Sequence, residues 1–170
     1  MENARKCLRN VSAGLAMLLA APLIVNIASA TGVPPPKPPC DRVTGGGYII
    51  TSTGSRASFA VNFGRNAKNE LFVQVNYIDH GPGGPRIKAE GITRYVRVGA
   101  DPGKRRIDGI ANSKSNGLLH FTVIVDDNGE PGSADTFAIF LEGGYRASGV
   151  LTGGNIQLHH QCRPSGGPNR

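Results

Sequence analysis

Apolar and polar residues alternate with period two along several short stretches. Residues 58–63 put Phe59, Val61 and Phe63 on one side, and residues 71–78 set Val73, Val75 and Tyr77 against Gln74 and Asn76. Residues 119–125 align Leu119, Phe121, Val123 and Val125 against His120 and Thr122, and residues 136–141 align Phe137, Ile139 and Leu141. Successive side chains of a strand point to opposite faces, so each stretch predicts a strand with one buried face. Further strands are expected at 42–51, 86–98, 105–111, 145–151 and 155–160. Asn116-Gly117 and Asn128-Gly129 supply the positive φ angles of tight hairpins. Asp101-Pro102-Gly103, Gly143-Gly144 and Gly153-Gly154 are further turn signals. Between residues 40 and 162 nothing sustains helical spacing, and short connectors favour antiparallel neighbours. The expected fold is all-β and antiparallel, a meander-rich sandwich or flattened barrel of about nine strands.

Composition agrees. With 24 Gly, 12 Pro and no Trp in 170 residues, turns are plentiful and the composition argues against a helical bundle. The amino terminus reads differently. Arg5, Lys6 and Arg9 precede an apolar run from Val11 to Val25, and Ala28-Ser29-Ala30 puts small residues where signal peptidase cuts. That is a secretory leader over 1–30, cleaved between Ala30 and Thr31. The rival, an uncleaved anchor, is disfavoured because Pro22, Asn26 and Ser29 interrupt the run. No membrane span is expected after cleavage. The expected organisation is leader 1–30, Pro-rich spacer 31–39, β domain 40–162 and disordered tail 163–170.

Cleavage removes Cys7 and leaves Cys40 and Cys162, one near each end of the domain. In an exported chain that pattern reads as one disulfide clipping the first strand to the last; unpaired thiols or a metal pair are the alternatives. Cleavage also removes Arg5, Lys6, Arg9 and Glu2, which takes the formal charge from +7 to +5.

Some blocks are more specific. Thr44-Gly45-Gly46-Gly47-Tyr48-Ile49, Tyr77-Ile78-Asp79-His80 and the stretch from Phe121 to Gly132 occur in order. Asp135-Thr136-Phe137, Gly144-Tyr145, Ala147-Ser148-Gly149 and Gly153-Gly154-Asn155-Ile156-Gln157 follow. Together, over about residues 40–160, they resemble the post-COAP-1 domain, often found at the C-terminal end of exported, surface-associated bacterial proteins. The resemblance implies an exported domain and no established activity.

Two constellations could bind something. The acidic turn Asp126, Asp127, Asn128 and Glu130, with Asp135 beyond it, offers oxygens for calcium, although it lacks the EF-hand spacing and reads more readily as a solvated hairpin turn. No other cofactor is expected. Arg86, Lys88, Arg94 and Arg97 lie on one predicted strand, and Lys104, Arg105 and Arg106 open the next. If those strands pair, their charges gather into a patch for an anionic envelope or extracellular polymer, with nucleic acid the weaker candidate. The bland alternative is a solvated face that protects sheet edges. Another secreted protein is the other partner considered, and oligomeric state is left open. No GxSxG or HExxH occurs, and His80, His120, His159 and His160 show no ligand spacing. The expectation is a non-catalytic binding or structural module. A calcium-stabilised adhesion or assembly module organised at the acidic turn is the first alternative, and a secreted hydrolase using His80 or His120 the minor one.

Overall fold

The computed structural model describes residues 39–160. The leader and its Ala30/Thr31 cleavage site, the spacer up to residue 38, Cys162 and the tail at 163–170 lie outside the described residues. Within them the chain forms nine strands and no helix: β1 (Asp41–Ile50), β2 (Arg56–Arg65), β3 (Leu71–Asp79), β4 (Arg86–Arg97), β5 (Lys104–Ser113), β6 (Gly117–Asp126), β7 (Thr136–Leu141), β8 (Arg146–Val150) and β9 (Gly153–His160). All pairings are antiparallel in one sheet of order β8-β7-β6-β5-β4-β3-β2-β1-β9. Strands β1 to β8 are a meander, and β9 returns to lie beside β1. A single sheet excludes the two-sheet sandwich.

That sheet is curled into a half-barrel. Phe59 on β2 stacks on Phe137 on β7, with ring centroids 4.0 Å apart. In a flat sheet five strand spacings would separate them, about 24 Å. The two end strands, β8 and β9, are also joined through only Leu151 and Thr152. The concave face holds the core. Val43, Phe63, Val75, Tyr77, Ile107, Val123, Val125, Phe137, Ile139 and Ile156 are each no more than 1% exposed, mostly at the alternate positions that the period-two pattern selects.

Glycines allow the tightest approach. A Cβ on Gly47 would strike the Gly153 carbonyl, and one on Gly154, at φ +111°, would strike that of Gly46. Here β1 and β9 pair with their backbones in close contact. Gly153-Gly154 is therefore a ladder segment opposite Tyr48 and Gly47, not a turn. The Asn128-Gly129 signal is likewise corrected: β6 and β7 are joined by residues 127–135, a loop too long for a tight hairpin. At Gly91 the β4–β5 register shifts, and it shifts again before Arg94. These irregularities change which way later β4 side chains face.

Candidate functional site

The acidic turn is built into the fold. Strand β9 ends the sheet, so the edge it turns away from β1 has backbone N–H groups without a neighbouring strand. Carboxylates of the β6–β7 loop occupy that position. Asp135 is fully buried; its Oδ2 accepts from the Ile156 N–H (2.8 Å) and its Oδ1 from the Asn128 N–H (2.9 Å). Asp127 accepts from the Leu158 N–H at 2.7 Å and from Gly129 at 3.1 Å. Glu130 accepts from the side chains of Asn155 (3.0 Å) and Gln157 (2.6 Å). These side-chain bonds hold the Glu130 carboxyl below its usual range. Asp126 lies apart, buried, with Lys104 3.4 Å away. Burial, reinforced by Asp101, raises the Asp126 carboxyl against the pull of Lys104. The five residues expected to share calcium, Asp126, Asp127, Asn128, Glu130 and Asp135, are not gathered into one oxygen cage. Among the described residues no three His, Cys, Asp or Glu side chains come together as a metal group. The carboxylates face N–H donors of β9 and of the loop itself, or the Lys104 ammonium.

A polar chain that the sequence marked only within the blocks of the resemblance links half-buried Asp79 and Tyr145 to buried Tyr77. The Tyr145 hydroxyl donates to Asp79 Oδ2 at 2.8 Å and lies 2.5 Å from that of Tyr77. Ser55 and the Gly81 N–H donate to Asp79 Oδ1, each at 2.8 Å. Burial works to raise the Asp79 carboxyl, but the bonds from Gly81, Tyr145 and Ser55 outweigh it and leave it lowered. Burial pushes the Tyr77 phenol up to about 12. The Asp79-to-Gly81 contact is an Asx turn.

The basic stripe divides into three. Arg105 leaves the surface altogether: it is 3% exposed and paired with equally buried Asp41. Its Nε donates to both Asp41 oxygens (3.2 and 3.1 Å) and its second terminal nitrogen to Oδ2 at 2.6 Å. The remaining nitrogen donates to the carbonyls of Pro102 and Lys104. Tyr95 donates to Asp41 Oδ1. Strand alternation explains the correction, since Arg105 shares the inward face with Ile107. Lys104 and Arg106 are also committed, to Asp126 and to Asp108 (2.8 Å) respectively.

Arg86, Lys88, Arg94 and Arg97 remain exposed, on the convex face or its margin. Arg86 and Lys88 line an open groove of about 520 Å³ with Lys114, Asn76, Asn112 and Glu90. Lys114 joins them because its N–H donates to the Arg86 carbonyl where the β5–β6 turn meets β4. Nothing in the strand pattern had marked it. Arg94 is set apart by the bulged part of β4 and faces Asp108 across the ladder, and Arg97 lies opposite Arg105. His80 contacts the Ser58 hydroxyl and His159 that of Thr44 at 2.7 Å. Compared with family models, curated proteins and solved structures, the chain matches none.

Proposed function

We propose that this is an exported, non-catalytic binding module that holds an anionic polymer at the cell envelope through the groove of Arg86, Lys88 and Lys114. One observation carries the reading. Three cations and two carboxamides converge on one open groove against the single carboxylate of Glu90, and none of the three cations has an ion-pair partner among the described residues. Positive charges held on a rigid sheet raise the local concentration of a polyanion, and exposed contacts of this kind weaken with salt. The resemblance to post-COAP-1 domains of surface-associated proteins supports the same placement.

We also infer that the leader is removed after Ala30 and that Cys40 pairs with Cys162. The β1–β9 ladder supports the pairing: its last rung joins Asp41 to His160, so Cys40 precedes that rung in sequence and Cys162 follows it. The function is tested by sedimenting the mature protein with native envelopes under low-salt and high-salt washes. Retention that high salt releases is expected, and Arg86→Glu/Lys88→Glu/Lys114→Glu should lose it at an unchanged melting temperature. Undiminished retention of the triple variant would refute the groove.

A further inference from the structure

A row of outward side chains crosses the sheet beyond the cationic groove. In ladder register Arg94 on β4 faces Asp108 on β5, Asp108 faces Thr122 on β6, Thr122 faces Phe140 on β7, and Phe140 faces Arg146 on β8. Four strand spacings make the row about 19 Å long. Phe140 is the anomaly in it. Its place in the alternation calls for a polar residue, yet a phenyl ring stands there 37% exposed. The ring belongs to a shallow depression of about 290 Å³ with Thr93, Asp108, His120, Thr122 and Glu142. Asp108 is held in place: Thr122 donates to its Oδ1 at 2.6 Å, and the Arg106 Nε donates to the same oxygen at 2.9 Å. The Glu142 carboxylate is positioned by the His120 N–H at 3.0 Å. Arg94 and Arg146, at the ends of the row, are exposed and have no ion pair among the described residues.

We infer that the anionic polymer is an acidic polysaccharide, a chain of uronic acids, and that Phe140 is the platform for one of its rings. The inference rests on the polyanion reading above and names its ligand class. An aromatic face is apolar and carries the negative side of a quadrupole, which suits the positively polarised C–H face of a pyranose. The rim of that ring presents hydroxyls, which Asp108, Glu142, Thr122 and His120 can bond. One spacing of about 5 Å separates Phe140 from Arg146, within reach of the sugar's carboxylate. A nucleobase would also stack on Phe140, but it brings no row of ring hydroxyls for the fixed Asp108 and Glu142 carboxylates to accept from. The volume lies at the small end of the ~300–1,000 Å³ typical of ligand clefts, enough for a single ring rather than a larger group.

The experiment compares binding of the mature protein to polygalacturonate, inorganic polyphosphate and a single-stranded oligonucleotide at matched charge and salt. Polygalacturonate should bind best. Phe140→Ala should weaken it about tenfold, the upper range of an aromatic contact, while leaving polyphosphate unchanged. Phe140→Tyr should restore it, and melting temperatures should stay level because the ring is outside the core. Equal binding of polygalacturonate and polyphosphate, with Phe140→Ala silent, would overturn the sugar inference and leave the cationic groove standing. Tighter binding of the oligonucleotide would overturn it in favour of base stacking. Binding of none of the three would overturn both readings.

Discussion

Asp41 and Arg105 show how far a single side chain can depart from what its residue type suggests. Both are charged and both are buried, and that is tolerated because the guanidinium's donors and the carboxylate's acceptors are used, with Tyr95 completing the set. The Asp79–Tyr145–Tyr77 chain obeys the same rule and makes stability depend on pH at both ends of the scale. Asp79 is lowered in the folded protein, so its contribution is fully present above the ordinary carboxylate value of about 3.9 and is lost as pH falls through the folded value. Tyr77 is raised to about 12, so its contribution is complete below the ordinary phenol value near 10 and disappears as pH climbs toward 12. Melting temperatures recorded from pH 2 to pH 12 should show both limbs. Asp79→Asn is expected to reduce the acid limb and Tyr77→Phe the alkaline one, to which Tyr95 and Tyr145, whose phenols burial also raises, contribute as well; limbs unchanged in these variants would place the titration elsewhere.

Among the elements, β9 depends most on side chains. It pairs with β1 along one edge, and on the other its Ile156 and Leu158 N–H groups are bonded by Asp135 and Asp127. A buried N–H left without an acceptor costs about 1–3 kcal/mol, and Asp135 serves two N–H groups, so Asp135→Ala should destabilise the domain by about 2–4 kcal/mol in urea unfolding. Hydrogen exchange should localise the loss, with the Ile156 amide deprotected before those of β5. Uniform deprotection would mean that the loop does not act through β9. The sequence showed the acidic loop plainly, because four polar residues and a glycine followed by Pro-Gly stand out from any strand. It could not show what the acids bond, since Ile156 and Leu158 are more than twenty residues further along the chain. The basic stripe was legible for the same local reason, and it was partly misread because bulges and inward alternation redistribute its charges.

For the whole molecule, closure matters most. Curling of the sheet brings β1 and β9 together, and the first and last strands meet at the Asp41–His160 rung. If Cys40 and Cys162 are bonded there, the bridge closes about 120 residues, and reducing it should cost about 2–4 kcal/mol, less than the ~5 kcal/mol loop-entropy limit. Alkylation of the unfolded mature protein should label neither thiol until a reductant is added. Labelling without reductant would remove the disulfide. The nine strands, their antiparallel sense and the buried faces of β2, β3, β6 and β7 were determined by the sequence alone, because period-two alternation and turn residues act over a few positions. Only the tertiary structure decided that one sheet curls over its own face, that Arg105 turns inward to Asp41, that Lys114 joins Arg86 and Lys88, and that Phe140 stands among Asp108, His120 and Glu142. Each of these depends on strand register between residues distant in sequence, and register is set by how the whole sheet closes over its core.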